Sequence, residues 1–280
     1  MARIESLSIF KQNGSDKELL KEVYNGVIDN IQSTTISAKL KNQELSGDIS
    51  SGSVEAKRFV NATVNEYGTA RGNGKGTAVK AAPVTVAIDK HIEIIEEVED
   101  ADAKMYGVED LIKRRSNNHG MRIKKTLERA FFECAVNAGT EATLTATTEK
   151  GQIDEMIVAL QELKNDFVDG VDTMYMDLVC RPSFYTAIQN EIDTVSNPNI
   201  DSAAAEIKVY HGVEIDKSTD LPNGVNAVLM VKGSVAQPVS ITENGLEKIP
   251  LSKAYGFGAF VDYGTKAVSP DLILVAKSAE

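Results

Sequence analysis

Two cysteines and three histidines in 280 residues leave little material for disulfide or metal chemistry. Cys134 and Cys180 stand far apart with no ligand spacing around them, so both read as small buried residues in a reducing compartment. His91, His119 and His211 are also scattered, with no cysteine or acid at a metal-binding interval, which excludes a sequence-encoded zinc centre. His91 falls on the polar side of a strand pattern and reads as a surface or interface histidine. No run of about 18 apolar residues is present to span a bilayer. The opening MARIESLSIF lacks the basic flank and apolar stretch of a secretory signal, so no membrane is expected among the partners. Net positive charge is missing too: the formal charge is −11 and the pI near 4.9, against a protein that grips nucleic acid by phosphate neutralisation.

Catalytic signatures are absent in the same way. The stretch EYGTARGNGKGT, Glu66 to Thr77, looks like a phosphate loop, but Thr69 replaces its first glycine and Gly76 its hydroxyl. A strand pattern, Ala81 to Val86, follows where a helix should open on the anion. The acidic run from Glu99 has Met105 and Leu111 where a calcium loop needs glycine and glutamate. Ser183 is not in a nucleophile elbow, and Asn61-Ala62-Thr63 is a sequon without a signal peptide. No catalytic residue, cofactor site or metal site is expected.

What is present is a hydrophobic content of 42%, enough for one large core or two moderate ones, and a strong local sorting of charge. Ser53 to Pro83 is basic through Lys57, Arg58, Arg71, Lys75 and Lys80; Asp89 to Asp110 carries nine acids against two lysines; Leu111 to Arg129 has seven cations against Glu128 alone. Blocks that alternate in sign on neighbouring elements suit docking between copies of a molecule.

The periodicities predict the elements. An amphipathic helix is expected over 16–31, capped by Ser15, with Leu19, Leu20, Val23, Val27 and Ile31 as its stripe, followed by a polar arm or linker over 32–53. From Val84 to Val98 apolar residues keep one parity, predicting one strand of about 50 Å. Paired with Val54 to Tyr67 across the glycine turn, it would make a projecting hairpin. Two strands alone are marginal in water, so the arm must lie on another surface. A long helix is expected over 108–138, kinked or broken at Asn117 to Gly120 and closed by a left-handed Gly139. Beyond it come a helix over 152–167, a buried strand over 173–180, and a helix opened by Pro182. Strands near 207–210, 213–216 and 226–231, a hairpin turn at Glu243-Asn244-Gly245, and a last pair of strands over 257–263 and 271–276 complete an α+β pattern.

His119 to Phe132, HGMRIKKTLERAFF, resembles the spine helix of tailed-phage major capsid proteins, the Hong Kong 97 fold. The long strand and glycine tip before it resemble that family's extended loop. Tyr175 to Pro182 resembles its strand-to-helix step in the axial domain, and Phe257 to Tyr263 its closing strands. The resemblance implies an arm over 1–50, a loop hairpin over 51–90, a peripheral domain with the spine helix over 91–145, an axial domain over 146–255, and returning strands over 256–280. It implies a virion protein, assembled in the host cytoplasm into hexamers and pentamers of itself around double-stranded DNA, with non-specific DNA contact and a portal. No scaffolding extension of about a hundred residues precedes the arm, so the scaffold is expected to be either a separate protein, which the initial methionine favours, or a segment removed before residue 1. Arg71, Lys75 and Lys80 near the loop tip would meet Glu93, Glu96, Glu97, Glu99 or Asp100 of the next copy. Two alternatives stand beside it: an encapsulin-type compartment of the same fold, and a monomeric nucleotide-dependent enzyme using the Gly72 to Gly76 loop.

Overall fold

The computed structural model describes residues 35–64, 66–67, 79–99, 108–193, 207–252 and 254–278. The helix expected over 16–31 and the glycine tip with Arg71 and Lys75 lie outside them, as does Asp100. The first half of the chain runs α1 (Ile36–Leu40), β1 (Leu45–Ser46), β2 (Ser53–Phe59), β3 (Ala81–Ala87), β4 (Lys90–Val98), α2 (Val108–Ala138), β5 (Thr140–Glu141), α3 (Glu149–Gln161) and β6 (Met176–Cys180). The second runs α4 (Pro182–Asp193), β7 (Val209–Tyr210), β8 (Val213–Lys217), β9 (Val225–Val231), β10 (Val235–Ala236), β11 (Val239–Lys248), β12 (Tyr255–Tyr263), β13 (Lys266–Ala267) and β14 (Ile273–Lys277). These elements form two compact units. One is built around Ile88–Glu128 and Pro238–Gly264 with the residues up to Lys39; the other comprises Leu40–Ala87, Arg129–Gln237 and Thr265–Glu280.

The larger unit centres on a six-stranded sheet in the order β5-β14-β9-β6-β8-β7. Every residue of β6 is buried, as a strand covered on both faces requires. Ile153, Met156, Ile157 and Leu160 of α3 recur at helical spacing and pack with Phe184, Tyr185 and Ile188 of α4 in a core that includes Met176, Leu178 and Leu229. Thr148 caps α3 by accepting from the Gly151 N–H at 3.2 Å. The helix stops at Gln161, short of the expected Phe167, because turn chemistry takes over: the Asn165 side chain accepts from the Phe167 and Val168 amides, both at 2.9 Å. Gly170, at a left-handed φ of 82°, then donates to the Leu163 carbonyl at 2.8 Å.

The smaller unit holds an antiparallel sheet in the order β11-β12-β4. The single strand expected over 84–98 is two strands in different sheets: β3 pairs with β2, and β4 pairs with β12. The two share one parity, so periodicity alone could not reveal that the pairing partner changes at Ile88 and Asp89. Glu243-Asn244-Gly245 is not a hairpin turn. β11 runs on through it with a register shift between Asn244 and Glu247, a bulge that sets Gly245 and Leu246 against Phe257. The chain reverses later, where the Ile249 N–H donates to the Ala254 carbonyl at 3.1 Å. The closing strands expected over 257–263 and 271–276 fall in different sheets: β12 belongs to this one and β14 to the six-stranded one.

α2 spans the expected residues, but without the break at Asn117 to Gly120. His119 is buried and stacks on Phe257, ring centroids 5.4 Å apart and 15° from parallel, and Gly120 is buried beside it. That packing outweighs the roughly 1 kcal/mol cost of a mid-helix glycine. Nor is Gly139 a left-handed cap. A Cβ there would stand 2.8 Å from both the Ala135 carbonyl oxygen and the Ile273 Cγ2, so glycine is needed for close approach. The supposed linker over 32–53 also acquires structure through distant partners. Thr35 Oγ1 accepts from the Ala38 N–H at 3.2 Å, while the buried Glu128 carboxylate accepts from the Ile36 and Ser37 amides at 2.6 and 3.3 Å. Leu40 is fully buried, and the Asn42 N–H donates to the Val235 carbonyl at 2.7 Å. Glu128, the lone acid in a basic block, therefore serves a helix N-terminus, where a carboxylate is favoured.

Candidate assembly surface

β2 and β3 pair antiparallel from Ser53↔Ala87 to Phe59↔Ala81, the base of the expected hairpin. Its inward parity begins with Val54 and Ala56, which bury against Ala236 and Val268 together with Val86. The surface that a two-stranded arm needs is thus, over its base, the chain's own body. The next inward residue is Arg58. It makes two hydrogen bonds to the Asp271 carboxylate, at 2.6 and 2.7 Å, and its guanidinium lies 4.3 Å from the centre of the Phe167 ring. Asn165 Nδ2 donates to the same carboxylate at 2.7 Å, and the Asn61 N–H donates to the Asp166 carbonyl at 3.0 Å. Burial alone would raise the pKa of Asp271, but the hydrogen bonds from Arg58 and Asn165 outweigh it and hold the carboxyl below its ordinary value.

Farther along, the ribbon exposes apolar side chains. Phe59, Val64, Tyr67 and Val79 are 57%, 96%, 104% and 85% exposed, an unusual grouping of large apolar side chains on one short ribbon. Lys80 is exposed among them, and its carbonyl accepts from the Val60 N–H at 3.0 Å. Of the three cations expected at the tip, Lys80 alone falls within the described residues.

In the other unit, β4 presents Glu93, Glu97 and exposed Ile95 outward, and Glu99 follows it into solvent. Glu96 lies on the opposite, inward parity. Arg115 grips it with both Nε, at 2.6 Å, and Nη2, and His119 Nε2 lies 3.1 Å away. The sequence carried a signal for this: a carboxylate on the apolar parity of a strand needs a cation, and α2 is rich in them. His91, exposed as expected, has Nδ1 2.8 Å from Asp262 Oδ1 on the neighbouring strand.

The Arg115 hydrogen bonds dominate over partial burial and hold the Glu96 carboxyl below its usual range. A carboxylate depressed in the folded state stabilises above its unfolded pKa, and that contribution disappears as pH falls through the folded value. Glu96→Gln should therefore cost about 1 to 2 kcal/mol near neutral pH, allowing for solvent around half-exposed Arg115. In denaturant titrations the gap between variant and parent should close in acid; a gap independent of pH would contradict this role.

Among the described residues no group of three or more histidines, cysteines or acids could hold a metal ion, and no helix is long and apolar enough to cross a membrane. Both cysteines are free, and burial pushes the Cys180 thiol up to about 12.

No protein-family model matches the sequence, and no curated protein matches it. Solved structures do. A structure from Mycobacterium phage Che8 superposes with a TM-score of 0.62 at 20% identity, over 87% of this chain and 91% of that one. The capsid structure of cyanophage P-SCSP1u gives 0.62 at 16% identity over 88% and 89%, and a virus-like particle from Pyrococcus furiosus gives 0.55 at 11% over 92% and 98%. The chain thus has the α+β fold of tailed-phage capsid proteins, the Hong Kong 97 type.

Proposed function

We propose that this chain is the structural subunit of a tailed-phage-type head, assembling with its own copies into hexamers and pentamers that enclose double-stranded DNA. The observation that carries the reading is the exposed apolar arm on a fold shared, over most of its length, with phage capsids. Head-to-tail contacts of one kind close into rings under rotation, and an arm reaching the next copy is such a contact. Fully burying an aromatic or branched side chain contributes about 1.5 to 3 kcal/mol, so Phe59, Val64, Tyr67 and Val79 supply the adhesion. Arg71, Lys75 and Lys80, facing Glu93, Glu97, Glu99 and Asp100 of the neighbour, add about 0 to 1 kcal/mol per rim pair and set register. Glu96, held by Arg115 and His119, is not a leading candidate for that contact.

The role is structural, not catalytic, and the product is a virion component assembled in the host cytoplasm. A separate scaffolding protein and a portal complete the proposed partners. The subunit is divided into an arm over 1–50, a loop hairpin over 51–90, a peripheral part over 91–145, an axial part over 146–255 and returning strands over 256–280. A wall of subunits that each carry a net charge of −11 binds packaged DNA weakly and non-specifically.

Electron microscopy and sedimentation of the purified full chain test the reading. Closed shells of uniform size are expected; a monomer at every concentration overturns it. Particles that protect DNA from nuclease fit a head, whereas particles that retain a co-purifying enzyme fit an encapsulin-type compartment.

A further inference from the structure

The inward face of β2 changes character at Arg58. Val54 and Ala56 rest on apolar neighbours, Arg58 on a carboxylate and an aromatic ring, and Val64 and Tyr67 beyond it are exposed. Apolar contact is non-directional, whereas a two-pronged guanidinium–carboxylate pair fixes both distance and angle. This pair joins residues 213 positions apart, at the last inward-facing residue of β2. Asn165 holds the carboxylate from a second side, and the Asn61–Asp166 backbone bond fastens the same loop to the ribbon.

We propose that Arg58 and Asp271 form a clamp that sets the direction in which the arm leaves the body, which makes them positioning residues for assembly. The inference rests on the shell reading above. An arm already aimed loses less freedom when it meets its neighbour, and preorganisation of that kind strengthens binding without adding a contact. The side chains of Arg58 and Asp271 are partly solvated and add nothing to the apolar core of the six-stranded sheet, so losing their contact should loosen the ribbon without unfolding the chain.

Asp271→Asn tests this with the hairpin sequence untouched, and Arg58→Lys provides a second variant that keeps the charge and removes the two-pronged geometry. Hydrogen exchange on the unassembled full chain should speed up about tenfold or more at the Val60 and Asn61 amides. The amides of Leu178 and Leu229 should be unchanged. Electron microscopy of the same proteins should show few closed shells. Unchanged exchange at Val60 and Asn61 in both variants overturns the clamp itself. Faster exchange with a normal yield of shells overturns the role in assembly and leaves the shell reading intact. A parent protein that never forms shells overturns the shell reading and the assembly role with it, while the exchange result still decides the clamp.

Discussion

Changing Arg71, Lys75 and Lys80 together to glutamate is expected to leave a folded chain that fails to close into shells. Each exposed ion pair lost is worth only about 0 to 1 kcal/mol. Reversal does more than delete, because like charges forced together across an interface cost several kcal/mol. Each 1.4 kcal/mol per contact shifts the concentration needed for association about tenfold, and every subunit makes the contact, so closed shells should vanish at concentrations where the parent assembles fully. Melting of the free chain should be unaltered. At an ionic strength near 1 M, where screening reaches about 3 Å, the defect should shrink. Normal shells from the triple variant at low salt would refute the docking of these cations.

Gly258→Ala should do the reverse: it should destabilise the chain itself. Gly258 lies in β12, the middle strand of the β11-β12-β4 sheet, opposite Ile95. An added Cβ would fall inside van der Waals contact of the Ile94 carbonyl oxygen and 3.1 Å from the Ile95 Cα. Both obstacles are backbone, so a strand must move, and overpacking of this kind costs about 1 to 3 kcal/mol or more. For a chain of this size a drop in Tm of roughly 2 to 10 °C follows. Gly52→Ala, at a φ of 82° with open space around it, should show only the left-handed backbone penalty of about 1 to 2 kcal/mol. Since β4 also bears Glu93 and Glu97, Gly258→Ala should impair assembly and melting together, whereas the triple charge reversal impairs assembly alone. Equal melting of Gly258→Ala and the parent would show that the sheet yields more easily than its backbone contacts imply.

Legibility in the sequence followed how local each cause is. The bounds of α2, the stripe on α3 and the start of α4 at Pro182 could be read from spacing and capping because the deciding contacts recur within a few residues. The split at Ile88 and Asp89 could not, since the two strands share a parity and differ only in distant partners, β2 for one and β12 for the other. Gly139 and Gly120 differ from expectation for the same reason: a glycine that locally suits a left-handed turn or a helix break serves close packing and burial. On the assembly surface, the cationic character of the loop was visible, but Arg58 looked like one more loop cation. Parity sets it with Val54 and Ala56 and apart from outward Lys57, but its partner Asp271 is 213 residues away and no local spacing points to it. Glu96 was legible in principle from its parity and was hidden by the acidic run around it.

The most direct measurement of the central claim is a cryo-electron microscopy reconstruction of particles formed by the full chain, read at residues 59–80. The account predicts that segment lying across the neighbouring copy, with Phe59, Val64, Tyr67 and Val79 covered and the tip cations beside the outward face of β4. The same segment folded back on its own subunit, with those side chains covered from within and the neighbour held by other surfaces, would contradict it.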